Sequence, residues 1–205
     1  MTTREVETPH GPARVHLHAV DDPLAALVLG HGAGGGVGAR DLVTATDVAR
    51  SLAISVALVE QPYRVAGRRS PPPARQLDPA WIAVVDDLRT HELAGLPLIV
   101  GGRSSGARVA CRTAKATAAV GVLCLAFPLQ PPAREGKEAA PSRLPELAAV
   151  AVPVLVVQGE RDPFGLPPAG GGREVAIVRG DHGLKVDLPA VAEAVRTWLA
   201  ALVSR

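Results

Sequence analysis

The 205-residue sequence predicts a single α/β domain built on an eight-stranded, mostly parallel β-sheet with helices on both faces. Three observations predict it. Short apolar runs alternate with amphipathic stretches over the whole chain, and most runs end in a loop containing Gly or Pro. With 47% hydrophobic and 20% charged residues, the chain can bury one sizeable core and is neither disordered nor collagen-like.

The elements follow in order. Residues 3–7 and 13–19 read as a hairpin around Pro9-His10-Gly11-Pro12, because Arg14, His16 and His18 alternate with Val15, Leu17 and Ala19. Parallel strands are expected at 25–30, 54–59, 97–101, 120–126, 152–157 and 174–178, each rich in Val, Leu, Ile or Ala. Helical spacing marks 41–53, 79–93, 105–117, 144–150 and 188–202, as in Trp81, Val84, Val85, Leu88 and in Val191, Val195, Trp198, Leu199. Asp78 before Pro79, and Asp187 before Leu188-Pro189, supply N-cap chemistry. Segments 64–76 and 128–143 lack periodicity and read as surface loops too short for a folded lid domain.

Composition excludes several function classes. Basic and acidic residues number 22 and 20, a formal charge of +2, so no global electrostatic case exists for nucleic acid or an anionic membrane as partner. The longest apolar runs, 24–29 and 120–127, fall well short of the roughly 18 residues needed to span a bilayer. The amino terminus lacks a basic segment followed by an apolar one, so a cytoplasmic location is expected. Cys111 and Cys124 are too few for a disulfide scaffold or zinc site and read as buried apolar residues. His16 and His18 share a strand face without a nearby third ligand, and no metal or other cofactor is expected.

The strongest local signal is Gly102-Arg103-Ser104-Ser105-Gly106, which fits G-x-S-x-G between an apolar strand and a helical pattern. The spacing selects Ser104, because positions 103 and 107 around Ser105 hold Arg and Ala. In this motif a sharp strand-to-helix turn exposes the serine oxygen, and glycines on either side permit the crowding. A second loop, Gly30-His31-Gly32-Ala33-Gly34-Gly35, ends a strand in a glycine run that leaves backbone N–H groups unshielded. Acyl transfer needs two such donors aimed at the developing oxyanion, and Ala33, with Gly34 as its alternative, and Ser105 are assigned to that role. The same loop also matches G-x-G-x-x-G with Glu60 as a ribose-binding acid. Its helix, however, starts only near Asp41, too late to hold a pyrophosphate.

Asp162 follows the seventh strand and His182 the eighth, so the order is Ser104, Asp162, His182, as in α/β-hydrolases. His182 takes the Ser104 proton and Asp162 holds its tautomer. Glu160 and Asp181 are rival acids, with Glu160 expected to cap its loop and Asp181 to point away from its neighbour His182.

On His31-Gly32-Ala33-Gly34, Gln61-Pro62-Tyr63 with Gly67-Arg68-Arg69, Gly102 to Gly106, Gly159 to Gly165 and Gly180-Asp181-His182-Gly183, the chain resembles α/β-hydrolases over essentially its whole length. It is most similar to the small, lidless subgroup that includes dienelactone hydrolases and testis-expressed hydrolase-like proteins. Ser105 and Gln61 depart from the resemblance, standing where a bulkier residue and an aromatic are common. The resemblance implies an α/β-hydrolase fold without a lid. The expected activity is cleavage of a small carboxylic ester or thioester through an acyl-Ser104 intermediate, with a small-molecule acyl substrate as partner. The alternative is a binding or complex-forming protein on the same fold. Arg64, Arg68, Arg69 and Arg75 read as a solvated basic loop with one structural ion pair to Glu60 or a neighbour, the alternative being a site at the border of the active site for an anionic substrate group.

Overall fold

The computed structural model describes residues 1–132, 136, 138 and 140–204. Among them one eight-stranded sheet runs β1 (Thr2–Val6), β2 (Ala13–His18), β3 (Ala25–Gly30), β4 (Ile54–Glu60), β5 (Leu98–Arg103), β6 (Gly121–Leu125), β7 (Val154–Gly159) and β8 (Arg173–Val178). The spatial order is β1-β2-β4-β3-β5-β6-β7-β8. Only β2 pairs antiparallel, with β1 and with β4, so the expected hairpin attaches to one edge of an otherwise parallel sheet.

Strand residues divide by the pleat. Val28, Val100, Val122 and Val156 face one layer, packed with Trp81, Leu88 and Phe127. Leu29, Ile99, Leu123 and Leu155 face the other, packed with Leu42, Val48, Val195 and Trp198. The first layer belongs to helices α3 (Ala74–Thr90), α4 (Ser105–Thr113) and α5 (Leu144–Ala148), the second to α1 (Arg40–Ser51) and α6 (Leu188–Val203); α2 (Pro62–Val65) is a single turn after β4. Both faces are covered, which is why the central strands read as continuous apolar runs.

Several boundaries differ from expectation. Helix α3 starts at Ala74, a turn and a half before the expected 79, and carries Pro79 inside it. The early turns bring Leu77 into the core, which outweighs the single N–H that Pro79 lacks. Asp78 is therefore no cap; it accepts from Arg112 Nη2 at 2.6 Å and Nε at 2.8 Å, joining α3 to α4. Arg112 and Arg108 also reach Glu146, which ties in α5. The expected loop 64–76 is part helix, holding the end of α2 and the start of α3. Helix α4 stops at Thr113, four residues early. Asp187 does cap α6, accepting from Ala190 N at 3.1 Å.

Cys111 and Cys124 are buried with their sulfurs 3.5 Å apart. Between β6 and β7, α5 is the only helix among the described residues, while 133–135, 137 and 139 of the expected 128–143 loop lie outside them. No helix among the described residues is long and apolar enough to cross a membrane.

Candidate active site

The parallel strands β3, β5, β7 and β8 deliver their carboxyl ends to one rim of the sheet, the usual ligand edge of open α/β folds. At that rim Ser104, between β5 and α4, takes φ 52° and ψ −108°, a positive-φ backbone costing about 1–3 kcal/mol for a non-glycine residue. Its neighbours make this bend possible. A Cβ on Gly102 or on Gly106 would collide with the Gly30 carbonyl oxygen, so α4 and β5 approach β3 more closely than any larger residue allows.

His182 Nε2 lies 2.9 Å from Ser104 Oγ and His182 Nδ1 lies 2.8 Å from Asp162 Oδ2. The carboxylate can only accept, so Nδ1 carries the proton and Nε2 is free to accept from the Ser104 hydroxyl. Asp162 is held on both oxygens: Phe164 N donates to Oδ1 at 2.9 Å and Gln158 Nε2 to Oδ2 at 2.8 Å. Its side chain is 0% exposed, against 20% for His182, so the acid is sealed while the imidazole reaches the surface. The Phe164 ring sits 4.5 Å from the imidazole, centroid to centroid, covering one face.

The rival acids are elsewhere. Glu160 is exposed, 3.7 Å from Arg161, and caps no N–H among the described residues; loop capping falls to Asp162 Oδ1 on Phe164 N and to Asp181 Oδ1, which takes Gly183 N at 2.8 Å. Glu60 lies 3.4 Å from His16 and 3.8 Å from Arg14, and pairs with none of the loop arginines. His16 also meets Thr3 Oγ1 at 3.3 Å. Arg68, Arg69 and Arg75 are exposed, and Arg64 donates to the Arg68 carbonyl.

The glycine loop after β3 is anchored from beneath. His31 is 3% exposed; its Nδ1 donates to the Gly32 carbonyl at 2.8 Å and its Nε2 accepts from Gln61 N at 3.1 Å. Burial pushes its pKa below the ordinary histidine value, which keeps it neutral for both bonds. Ala33 stands on this loop and Ser105 opens α4, where backbone N–H groups have no helical acceptor. The start of α1 at Arg40, nine residues beyond His31, leaves no helix N-terminus behind the loop for a dinucleotide.

Residues 23–187 match the family model described as alpha/beta hydrolase domain. The chain belongs to the α/β-hydrolase family. Among solved structures similar to this α/β-hydrolase is Est1E from Butyrivibrio proteoclasticus, at TM-score 0.80 and 13% identity over 100% of both chains. A dienelactone hydrolase from Anabaena variabilis matches at TM-score 0.77 and 16% identity, covering 98% of this chain and 96% of that one. A serine hydrolase without lid from Xanthomonas campestris matches at TM-score 0.72 and 19% identity, covering 96% and 94%. No curated protein sequence matches the chain.

Three supporting residues were not assigned from sequence. Gln158 is fully buried and its amide nitrogen faces Phe127 O and Gly165 O, each at 3.0 Å, as well as Asp162. A polar residue ending the apolar run Val154-Leu155-Val156-Val157 was the available signal. Tyr63 and Arg103 act over long sequence separations, and no local pattern reveals their partners.

Proposed function

We propose that this α/β-hydrolase is a serine hydrolase cleaving small carboxylic esters or thioesters. The observation that carries the reading is the unbroken chain from Ser104 Oγ to His182 (2.9 Å) and from His182 to Asp162 (2.8 Å). Ser104 Oγ attacks the acyl carbon as its proton passes to His182 Nε2, and Asp162 stabilises the imidazolium formed. The negative charge moves to the carbonyl oxygen, where the N–H groups of Ser105 and Ala33 receive it. Collapse breaks the bond to the leaving group, His182 returns the proton to the departing alcohol or thiol, and an acyl-Ser104 remains. Water activated by His182 releases the carboxylic acid and restores the serine.

The experiment is labelling with a fluorophosphonate followed by peptide mapping. Adduct on Ser104, and none in a folded Ser104→Ala variant, is the expected result. Labelling that persists in Ser104→Ala moves the nucleophile elsewhere. A wild-type protein that neither labels nor turns over p-nitrophenyl acetate is a binding protein on a hydrolase fold.

A further inference from the structure

Arg103, the last residue of β5, sits immediately before Ser104, and its guanidinium reaches three other segments. Nε lies 2.9 Å from Asp41 Oδ2 in the first turn of α1, and Asp41 is 1% exposed. Nη2 donates to the His182 carbonyl at 2.9 Å. Nη1 lies against the glycine loop, so close that a Cβ on Gly32 would come within 2.9 Å of it.

The bond to His182 matters because of what surrounds it. The segment after β8 is tied at Gly180, whose carbonyl takes Arg161 N, and at Asp181, whose carbonyl takes Leu184 N. Among the described residues no backbone donor reaches the His182 carbonyl, so between the ties at Gly180, Asp181 and Gly183 it is Arg103 that holds the carbonyl of the residue bearing the imidazole. Asp41 fixes Arg103 in turn; it also accepts Leu42 N at 3.0 Å, so its own position belongs to α1. A lysine, as a point charge on a flexible stem, cannot hold Asp41 and the carbonyl in this fork.

On the reading of Ser104 as nucleophile, we infer that Arg103, anchored by Asp41, is a positioning residue that sets the register of His182 against Ser104. The residue preceding the nucleophile carries the backbone tether of the base, so the distance between Oγ and Nε2 is governed by one side chain spanning both loops. Arg103 forms no bond to the substrate in this role. Its loss leaves binding of a small ester largely intact and slows the chemical step.

The test compares fluorophosphonate labelling of Ser104, kcat and KM for p-nitrophenyl acetate, and Tm in three proteins: wild type, Arg103→Met, and the double variant Arg103→Met with Asp41→Asn. The single variant strands a buried carboxylate and is expected to lose stability. The double variant removes that charge and recovers Tm, yet its kcat and labelling rate stay about tenfold to a hundredfold below wild type, with KM within about threefold. A cavity of about 620 Å³, bordered by Arg103, Gly183 and Gly35, gives small solutes access, so in the single variant, which keeps the Asp41 carboxylate, methylguanidinium should restore part of the rate and methylammonium should not. Wild-type rates in the stable double variant overturn the inference and leave the serine-hydrolase reading intact. Absence of Ser104 labelling in the wild type overturns that reading, and this one with it.

Discussion

Tyr63 donates its hydroxyl hydrogen to the Ala33 carbonyl across 2.8 Å, linking the single turn after β4 to the glycine loop after β3. Burial pushes the phenol up to about 12, so it remains a donor throughout the range in which an esterase is assayed. This bond fixes the Ala33–Gly34 peptide plane, while His31 Nδ1 on the Gly32 carbonyl fixes the adjoining plane that carries the Ala33 N–H, so the two together brace the loop assigned to the oxyanion. Tyr63→Phe is expected to lower kcat for p-nitrophenyl acetate about fivefold, the equivalent of about 1 kcal/mol for one lost hydrogen bond, with little change in KM. A variant with altered Tm and wild-type kcat would break the connection.

The acid can be identified by substitution. Asp162→Asn should cost about 10⁴-fold in kcat by presenting the wrong histidine tautomer, while Glu160→Gln stays near wild type because Glu160 is exposed and remote from the imidazole. Gln158→Leu removes a buried donor from Asp162 and two carbonyls, so stability should drop by about 1–3 kcal/mol in denaturant titration alongside a smaller loss of kcat. The reverse ranking of Glu160 and Asp162 would reassign the acid.

Substrate length should be short. Among the described residues the β6–β7 connection offers only α5, and the cavity beside Arg103 and Gly183 is lined otherwise by glycines, Ala39 and the charged Arg40, Asp41 and Lys185, which give an acyl tail little apolar surface. A buried methylene is worth about 0.8 kcal/mol, a gain unavailable once the chain leaves the protein surface. p-Nitrophenyl acetate or butyrate should therefore exceed laurate in kcat/KM. A steady rise through laurate, below micelle-forming concentrations, would contradict this.

His31 makes the stability pH-dependent. Its folded pKa is depressed by burial, so below about 6.5 the unfolded chain takes up a proton that the folded chain resists. Its contribution is thus present above about pH 6.5 and lost as pH falls toward the folded value. His31→Gln keeps a neutral polar side chain, and its Tm should decline less between pH 7.5 and 5 than that of the wild type. Parallel Tm curves would refute the assignment.

The nucleophile turn should tolerate Ser105→Ala, whose proposed donor is a backbone N–H, and reject Gly106→Ala. The added methyl would overlap the Gly30 carbonyl oxygen, forcing α4 away from β3. Soluble, labelled Ser105→Ala and insoluble or unlabelled Gly106→Ala is the expected pair in an expression and probe assay.

Legible in the sequence alone were the eight strands found among the described residues, the lidless α/β-hydrolase class, and the three side chains that meet at the rim, because each of those signals is local. Short apolar runs of Val and Leu alternating with amphipathic stretches are the pattern of a parallel sheet covered on both faces, and G-x-S-x-G has a backbone geometry of its own. Local signals failed where burial outweighed them: Pro79 reads as a helix start, yet Leu77 draws the helix back to Ala74. The groups that hold Ser104, His182 and Asp162 in place emerge only from the packed fold. Gln158 is only four positions from Asp162, but Tyr63 on Ala33 and Arg103 between Asp41 and His182 bridge 30 to 79 positions in the chain. Such bonds exist because a parallel sheet gathers the ends of distant strands at one rim, and no spacing along the chain encodes which side chains then face one another.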